Sequence, residues 1–242
     1  MKKIIIAALA LIMVISFAAC GTKSGSDQGS SGNSQSSNGQ NQSADAFELV
    51  KIDGENSYSL KGGSDKKASS ITVPATYKGK SVTVIAEDAF DGYSNLTDVT
   101  VEEGIKIIDE YAFNYCQKLE SVKLPSTVQS IGKGAFRYTS LKNIIIPEGV
   151  TIINASTFYG CKTLEYVVLP ASLETVEEMA FDDARAMTAV YYKGTSEKWD
   201  TITFNDKYDF EFRDATKYFY SESQPTAEGN YWRFVDGVPT AW

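Results

Sequence analysis

Leu119-Glu120-Ser121-Val122-Lys123-Leu124-Pro125-Ser126-Thr127-Val128-Gln129-Ser130-Ile131-Gly132-Lys133-Gly134-Ala135-Phe136 decides the fold. Val122 and Leu124 alternate onto one face, which is strand behaviour. Pro125 stops that strand, because proline has no N–H to give to a ladder. A second short extended stretch, Val128 to Ile131, leads into Ala135-Phe136, which reads as a single helical or 3₁₀ turn. The Phe returns as Phe90, Phe113, Phe136, Phe158 and Phe181, at steps of 23, 23, 22 and 23 residues. A fixed period in this range marks a solenoid.

The other apolar positions keep the same register. Val82, Ile105, Val128, Val150 and Leu173 stand eight residues before each Phe, and Ile85, Ile108, Ile131, Ile153 and Val176 stand five before it. Leu96, Leu119, Leu141, Leu164 and Met187 follow it. The strand pairs come next: Val99/Val101, Val122/Leu124, Ile144/Ile146, Val167/Leu169 and Val190/Tyr192. Pro147 and Pro170 repeat the stop of Pro125. One coil cannot bury its own Phe and Leu, so stacked coils bury them against each other. The expected fold class is mostly β: a solenoid of about five 23-residue coils, capped at both ends.

The unit L-x-x-V-x-L-P-x-x-V-x-x-I-x-x-x-A-F, closed by the next coil's Leu, resembles the BspA-type leucine-rich repeat. Leu119 to Phe136 matches at every marked position, and Leu141 to Phe158 matches with Ile144 and Ile146 as the strand pair and Thr157 in place of Ala. The resemblance covers about residues 71 to 192. It implies a curved β-solenoid, surface display and a part in adhesion or host-matrix binding, and it implies no catalytic residues. Departures are small: Glu102 replaces one strand-ending Pro, and the first coil carries an insertion around Tyr77 to Lys80.

The N-terminus reads as a targeting signal. Lys2 and Lys3 precede an apolar run from Ile4 to Ala19, broken only by Ser16. The run is short for a membrane span. It ends Phe17-Ala18-Ala19-Cys20-Gly21, which resembles the bacterial lipobox. That resemblance implies cleavage after residue 19 and a diacylglyceryl group on Cys20, whose two acyl chains anchor stably where one would not. Residues 20–45 continue as a lipidated Cys and a Gly/Ser/Asn/Gln linker, the composition of a flexible tether. Residues 46–70, with Phe47-Glu48-Leu49-Val50-Lys51-Ile52, the turn Asp53-Gly54 and Tyr58-Ser59-Leu60, read as an N-terminal cap. Residues 71–192 are the solenoid. At 193–242 the period fails, and an aromatic C-terminal cap holds all three Trp, Trp199, Trp232 and Trp242. Trp232, Asp236-Gly237 and Trp242 also faintly resemble one choline-binding wall repeat.

Composition narrows the function. The chain has no histidine, 23 basic and 31 acidic residues, and a formal net charge of −8. Lack of His removes Ser-His-Asp and Cys-His catalysis and the commonest metal ligand. Lys61-Gly62-Gly63-Ser64 lacks the spacing of a phosphate loop. The carboxylate pairs Glu102-Glu103, Asp109-Glu110, Glu177-Glu178 and Asp182-Asp183 fall in polar stretches between buried columns, which reads as solvated loop rather than a glycosidase cleft. An acidic chain is a poor partner for nucleic acid. No cofactor, metal site or enzyme activity is expected. Cys116 and Cys161 share the column three residues after the Phe, two coils apart. That is about 9–10 Å along the stack, beyond disulfide reach, so both are expected as free, buried thiols.

Ligand contact is expected where strand residues point away from the core. Coil by coil these are Asp98/Thr100, Ser121/Lys123, Asn143/Ile145, Tyr166/Val168 and Ala189/Tyr191. The ladder begins polar and ends apolar. Ile145, Tyr166, Val168 and Tyr191 form the candidate patch for a protein or glycan ligand, unless the C-terminal tail folds back over them. The expected protein is a lipid-anchored, extracellular interaction module on the outer face of a bacterial membrane. A structural spacer without a ligand is the alternative, and a carbohydrate-active enzyme a weaker one.

Overall fold

Residues 47–63, 66–205 and 209–242 are described in a computed structural model of the chain. The signal segment, Cys20 and the whole linker to residue 45 lie outside the described residues. The fold is a mostly β leucine-rich-repeat solenoid. Its main sheet collects the longer strands in two runs, four of them ended by Pro74, Pro125, Pro147 and Pro170: Ser70–Val73, Asp98–Val101 and Ser121–Lys123 pair in parallel, as do Asn143–Ile145, Tyr166–Leu169, Ala189–Tyr192 and Thr216–Tyr220. A second sheet collects the shorter strands, with Lys80–Ile85, Ile107–Ile108 and Ser130–Ile131 in one run and Ile152–Ile153, Thr175–Val176 and Thr203–Phe204 in another. Each proline ends its strand and opens the corner, because its carbonyl accepts the N–H three residues on: Val128 to Pro125, Val150 to Pro147 and Leu173 to Pro170.

The third side of each coil carries the Phe. All five are fully buried. Their rings stack face to face at 5.1, 5.5, 5.7 and 5.3 Å from Phe90 to Phe181. This side is not the helical or 3₁₀ turn expected from its length. Residues two before and two after each Phe adopt left-handed backbone: Tyr111 and Tyr115 at φ 54°, Gly134 at 61° and Tyr138 at 55°, Ser156 at 57° and Gly160 at 71°. Such conformations cost a non-glycine residue about 1–3 kcal/mol. The return is a backbone ladder. Tyr111, Phe113 and Tyr115 donate N–H to the carbonyls of Lys133, Ala135 and Arg137 in the next coil, at 2.9, 2.8 and 2.9 Å. Gly134, Phe136 and Tyr138 repeat the bonds to Ala155, Thr157 and Tyr159. Buried backbone groups need partners, and left-handed residues aim every second N–H at the neighbouring coil.

Thr157 fits the Ala column because its hydroxyl donates to the Asn154 carbonyl at 2.7 Å. The two cysteines are free and buried. Each donates its S–H to a Phe carbonyl of the preceding coil, Cys116 to Phe90 at 3.2 Å and Cys161 to Phe136 at 3.1 Å.

Stacking continues past residue 192, so the solenoid has about seven turns rather than five. After Tyr192 comes a longer connection with a short helix, Ser196–Trp199, whose N-cap Thr195 accepts from the Lys198 N–H. Thr203–Phe204 then pairs with Thr175–Val176. Helix Phe210–Asp214 brings Phe212 onto Phe181 at 4.5 Å and 9°, extending the ring column. Here the backbone ladder changes its acceptor: the Phe181 N–H meets the buried Asp209 carboxylate at 3.2 Å. Two antiparallel hairpins close the stack on different sheets. Phe47–Lys51 with Tyr58–Gly62 lies against the second sheet, and Tyr231–Val235 with Val238–Ala241 lies against the main sheet. Phe47 meets Phe90 edge-on at 6.3 Å, and Tyr77, from the first-coil insertion, meets Phe47 at 5.6 Å.

Two outcomes follow from this core. Phe136→Ala removes a ring stacked on both sides and is expected to cost about 3–5 kcal/mol. Asp209→Ala, which leaves the Phe181 N–H without an acceptor, is expected to cost about 1–3 kcal/mol, with Asp209→Asn losing less. Urea unfolding measures both. Burial pushes the Cys116 thiol up to about 12 and the Cys161 thiol up to about 11. Unfolded thiols ionise near about 8.5, so the unfolded chain loses protons that the folded one keeps. The stability this provides is complete below about pH 8.5 and is lost as pH rises through the folded values. A urea midpoint that falls between pH 8 and 11, with a shallower fall in the Cys116→Ala/Cys161→Ala double variant, is the expected result.

Candidate functional site

The outer face of the main sheet is divided along its length. Asp98, Thr100, Ser121, Lys123 and Asn143 are exposed and polar. Between the coils a groove of about 360 Å³ is lined by Thr97, Asp98, Glu120, Ser121, Val122, Lys142 and Asn143. Lys142 pairs with Glu120 across it, and that contact raises the Lys142 pKa. The ion pair is open to water and adds little stability. It leaves a charged rim on an open cleft.

Beyond Asn143 the face turns apolar, because the register sets Ile145, Val168, Tyr191 and Tyr218 side by side. Ile145 is 39% exposed. Tyr166 and Tyr191 are half-buried and meet edge to face at 5.4 Å. Burial raises both phenol pKa values, so both are neutral at physiological pH. Val168 corrects the sequence reading. It faces outward, apart from the interior cluster, yet is 0% exposed. The branched side chain is short and sits in register between Ile145 and Tyr191, so it forms the floor of the patch and cannot touch a ligand. Ala189 is buried as well.

The tail adds strands to the sheet edge and covers the patch only at its Tyr191 end, through Trp232. Tyr218 and Tyr220 lengthen the aromatic lane. Tyr191 stacks on Tyr218 at 5.1 Å. Trp232 seals the far end. It is 0% exposed, donates its Nε1–H to the Tyr192 carbonyl at 2.9 Å, and contacts Tyr191, Tyr220 and Phe234 at 5.4, 5.2 and 4.9 Å. A Trp held this way cannot serve as a sugar platform. Trp242 is 40% exposed, but Arg233 covers its ring at 4.1 Å. The sequence places Tyr218-Phe219-Tyr220 in the aromatic cap and not on the ladder, although Tyr218 and Tyr220, two residues apart, share one face of a strand. Ile145, Tyr166 and Tyr191 of the expected patch are brought together and reachable, and the polar groove adjoins them. Among the described residues no group of three or more Cys, Asp and Glu is placed to hold a metal ion.

A family model described as the BspA type leucine rich repeat region matches residues 66–211 in six copies. Among solved structures, the chain is similar to a leucine rich cell surface protein of Faecalibacterium prausnitzii, with 28% identity, 66% of this chain and 41% of that chain covered, and a TM-score of 0.59. It shares its fold with a leucine rich repeat protein of T. pallidum, at 20% identity, coverage of 69% and 86%, and TM-score 0.52. A leucine-rich repeat protein of Eubacterium ventriosum is similar at 21% identity, coverage of 64% and 43%, and TM-score 0.50. The chain thus spans less than half of the Faecalibacterium protein. No curated protein matches it.

Trp232→Ala is expected to cost about 3–5 kcal/mol and to leave the Tyr191 ring exposed. Differential scanning calorimetry, with near-UV circular dichroism reporting the tyrosines, checks this. A variant that melts with the parent chain would show that Trp232 does not close the lane.

Proposed function

We propose, from the premise that this chain belongs to the BspA-type leucine-rich repeat family, that it is a non-catalytic interaction module displayed on a bacterial surface. A diacylglyceryl group on Cys20 anchors it to the membrane, and residues 20–45 hold the solenoid clear of the headgroups. The outer face of the main sheet binds an extracellular protein or glycan. The carrying observation is the open stretch of that face, where Ile145, Tyr166 and Tyr191 adjoin the polar groove. Monomeric proteins rarely leave contiguous apolar patches uncovered, and larger ones mark contact sites. Half-buried tyrosines suit such a surface: their rings contribute contact area with few rotatable bonds to freeze. The divided face asks for a ligand with a polar end and an apolar or ring-bearing end. The similarity to a leucine rich cell surface protein supports display, the repeat fold is consistent with an interaction module, and the lipobox-like Phe17-Ala18-Ala19-Cys20 supports the anchor.

Glycan and matrix-protein arrays probed with the full chain test the reading. Saturable binding to at least one probe is expected. Tyr166→Ala is expected to weaken it about tenfold, the loss of about 1.4 kcal/mol, with the melting temperature unchanged. Binding indifferent to Tyr166→Ala and Tyr191→Ala, or lost only with the fold, would reduce the molecule to a spacer. Turnover of an array polysaccharide would make it an enzyme. Cys20→Ala is expected to move the protein from the membrane fraction to the medium.

A further inference from the structure

A second surface lies outside the sheet face, on the Phe-bearing side. Tyr115, Tyr138 and Tyr159 come from three successive coils, and their rings touch at 4.7 and 5.3 Å. Tyr115 is 43% exposed. Arg137 lies over two of them, its guanidinium carbon 4.7 Å from the Tyr138 ring and 5.0 Å from the Tyr159 ring. Beside Tyr138 opens a groove of about 210 Å³, lined by Gln117, Thr139, Ser140, Gly160, Lys162 and Thr163. Gly160 is required there: its backbone is left-handed at φ 71°, and a Cβ would stand 2.4 Å from the Tyr138 ring.

Arg137, held over two rings, forms no ion pair among the described residues. Its Nε is buried without a hydrogen-bond acceptor. A buried donor left unpaired is costly, and each such group asks for an explanation. The guanidinium lies over the Tyr138 and Tyr159 rings, which stand at 86° to each other and hold it in place. Its Nη groups, which are not closed off as Nε is, are the donors left for a carboxylate. Lys162 adds a second cation at the groove, 3.5 Å from Asp183.

We propose that this edge is a second binding site and that its ligand is a sugar bearing a carboxylate. The ring lies against the tyrosines, the hydroxyls face Gln117 and Ser140, and the carboxylate meets Arg137 and Lys162. An acidic peptide fits less well. Peptides gain affinity by adding a strand to unpaired backbone, and here the Tyr115 and Tyr138 N–H groups are already bonded to the next coil. Recognition is left to side chains: the Tyr138 ring that lines the groove and the two cations, Arg137 and Lys162. A dense polyanion is disfavoured by the acidic surface around it.

Isothermal titration of the full chain, carrying Cys20→Ser so that no acyl chain is attached, tests this with three probes. These are trigalacturonate, its methyl ester and a hexapeptide of alternating Asp and Glu. Trigalacturonate is expected to bind at least tenfold more tightly than the ester. Arg137→Met keeps the stem and removes the charge, and is expected to weaken binding tenfold or more; Arg137→Lys retains part of it. Amide shift mapping is expected to place the perturbation on residues 115–117, 137–140 and 159–163. If Arg137→Met unfolds, Lys162→Gln is the second test, with a smaller loss expected. Equal binding of acid and ester, indifference to both variants, or tighter binding of the hexapeptide overturns the proposal. None of these outcomes bears on the sheet-face reading, which Tyr166→Ala tests.

Discussion

The backbone hydrogen bonds between successive coils, on the side that carries the Phe, are the constraint from which the rest follows. A coil of this length has no helix or wide sheet to absorb its polar backbone, and a buried N–H must find a carbonyl. The neighbouring coil supplies it, but only if every second N–H turns outward along the stack. That demands left-handed residues on both sides of each Phe, even where they are Tyr111, Tyr115, Tyr138 or Ser156. The local strain is offset by bonds and by rings stacked at 5.1–5.7 Å. Where the coil pattern breaks, at Phe181, a side-chain carboxylate from Asp209 takes the place of the missing carbonyl. The ladder is thus satisfied even at a coil whose main chain has moved away.

This division of labour frees the outside. Coil interiors carry the stability, each coil depending on its neighbours, while outward positions carry little of it. The main-sheet face can therefore change from Asp98 and Ser121 to Tyr166 and Tyr191 within a few turns without disturbing the stack. The strain has a second effect. Left-handed Tyr115 and Tyr138 throw their rings outward along the coil edge, where they meet each other and enclose Arg137. Tyrosines held in left-handed backbone by the ladder thus build a surface feature, as the glycines at equivalent positions do not.

Much of the fold was legible because its signals are periodic and apolar. The Phe column, the proline stops and the two thiols in one column each follow from spacing, and the structure keeps them. What escaped was aperiodic. Phe212 belongs to the ring column, but the connection through Ser196–Trp199 delays it beyond the usual interval. Propensity gives no hint that tyrosine would adopt backbone usually left to Gly or Asn; Gly92, Gly134 and Gly160 marked the register for three coils only. The burial of Val168 was not legible, since alternation tells which way a side chain points but not how far larger neighbours overhang it. Trp232 faintly resembled part of a choline-binding repeat, and only the three-dimensional packing shows it spent on closing the sheet.

The hairpins at the two ends have a mechanical consequence. The described fold begins at Phe47, in a hairpin on the second sheet, while the aromatic lane runs to the opposite end of the main sheet. A pull applied between Phe47 and that lane crosses the whole stack. Bonds that join successive coils run along the line of pull, so they are strained few at a time rather than all together in shear. Under such a load the coils unwind one after another from the N-terminal end, and the molecule lengthens in steps, in the manner of a shock absorber.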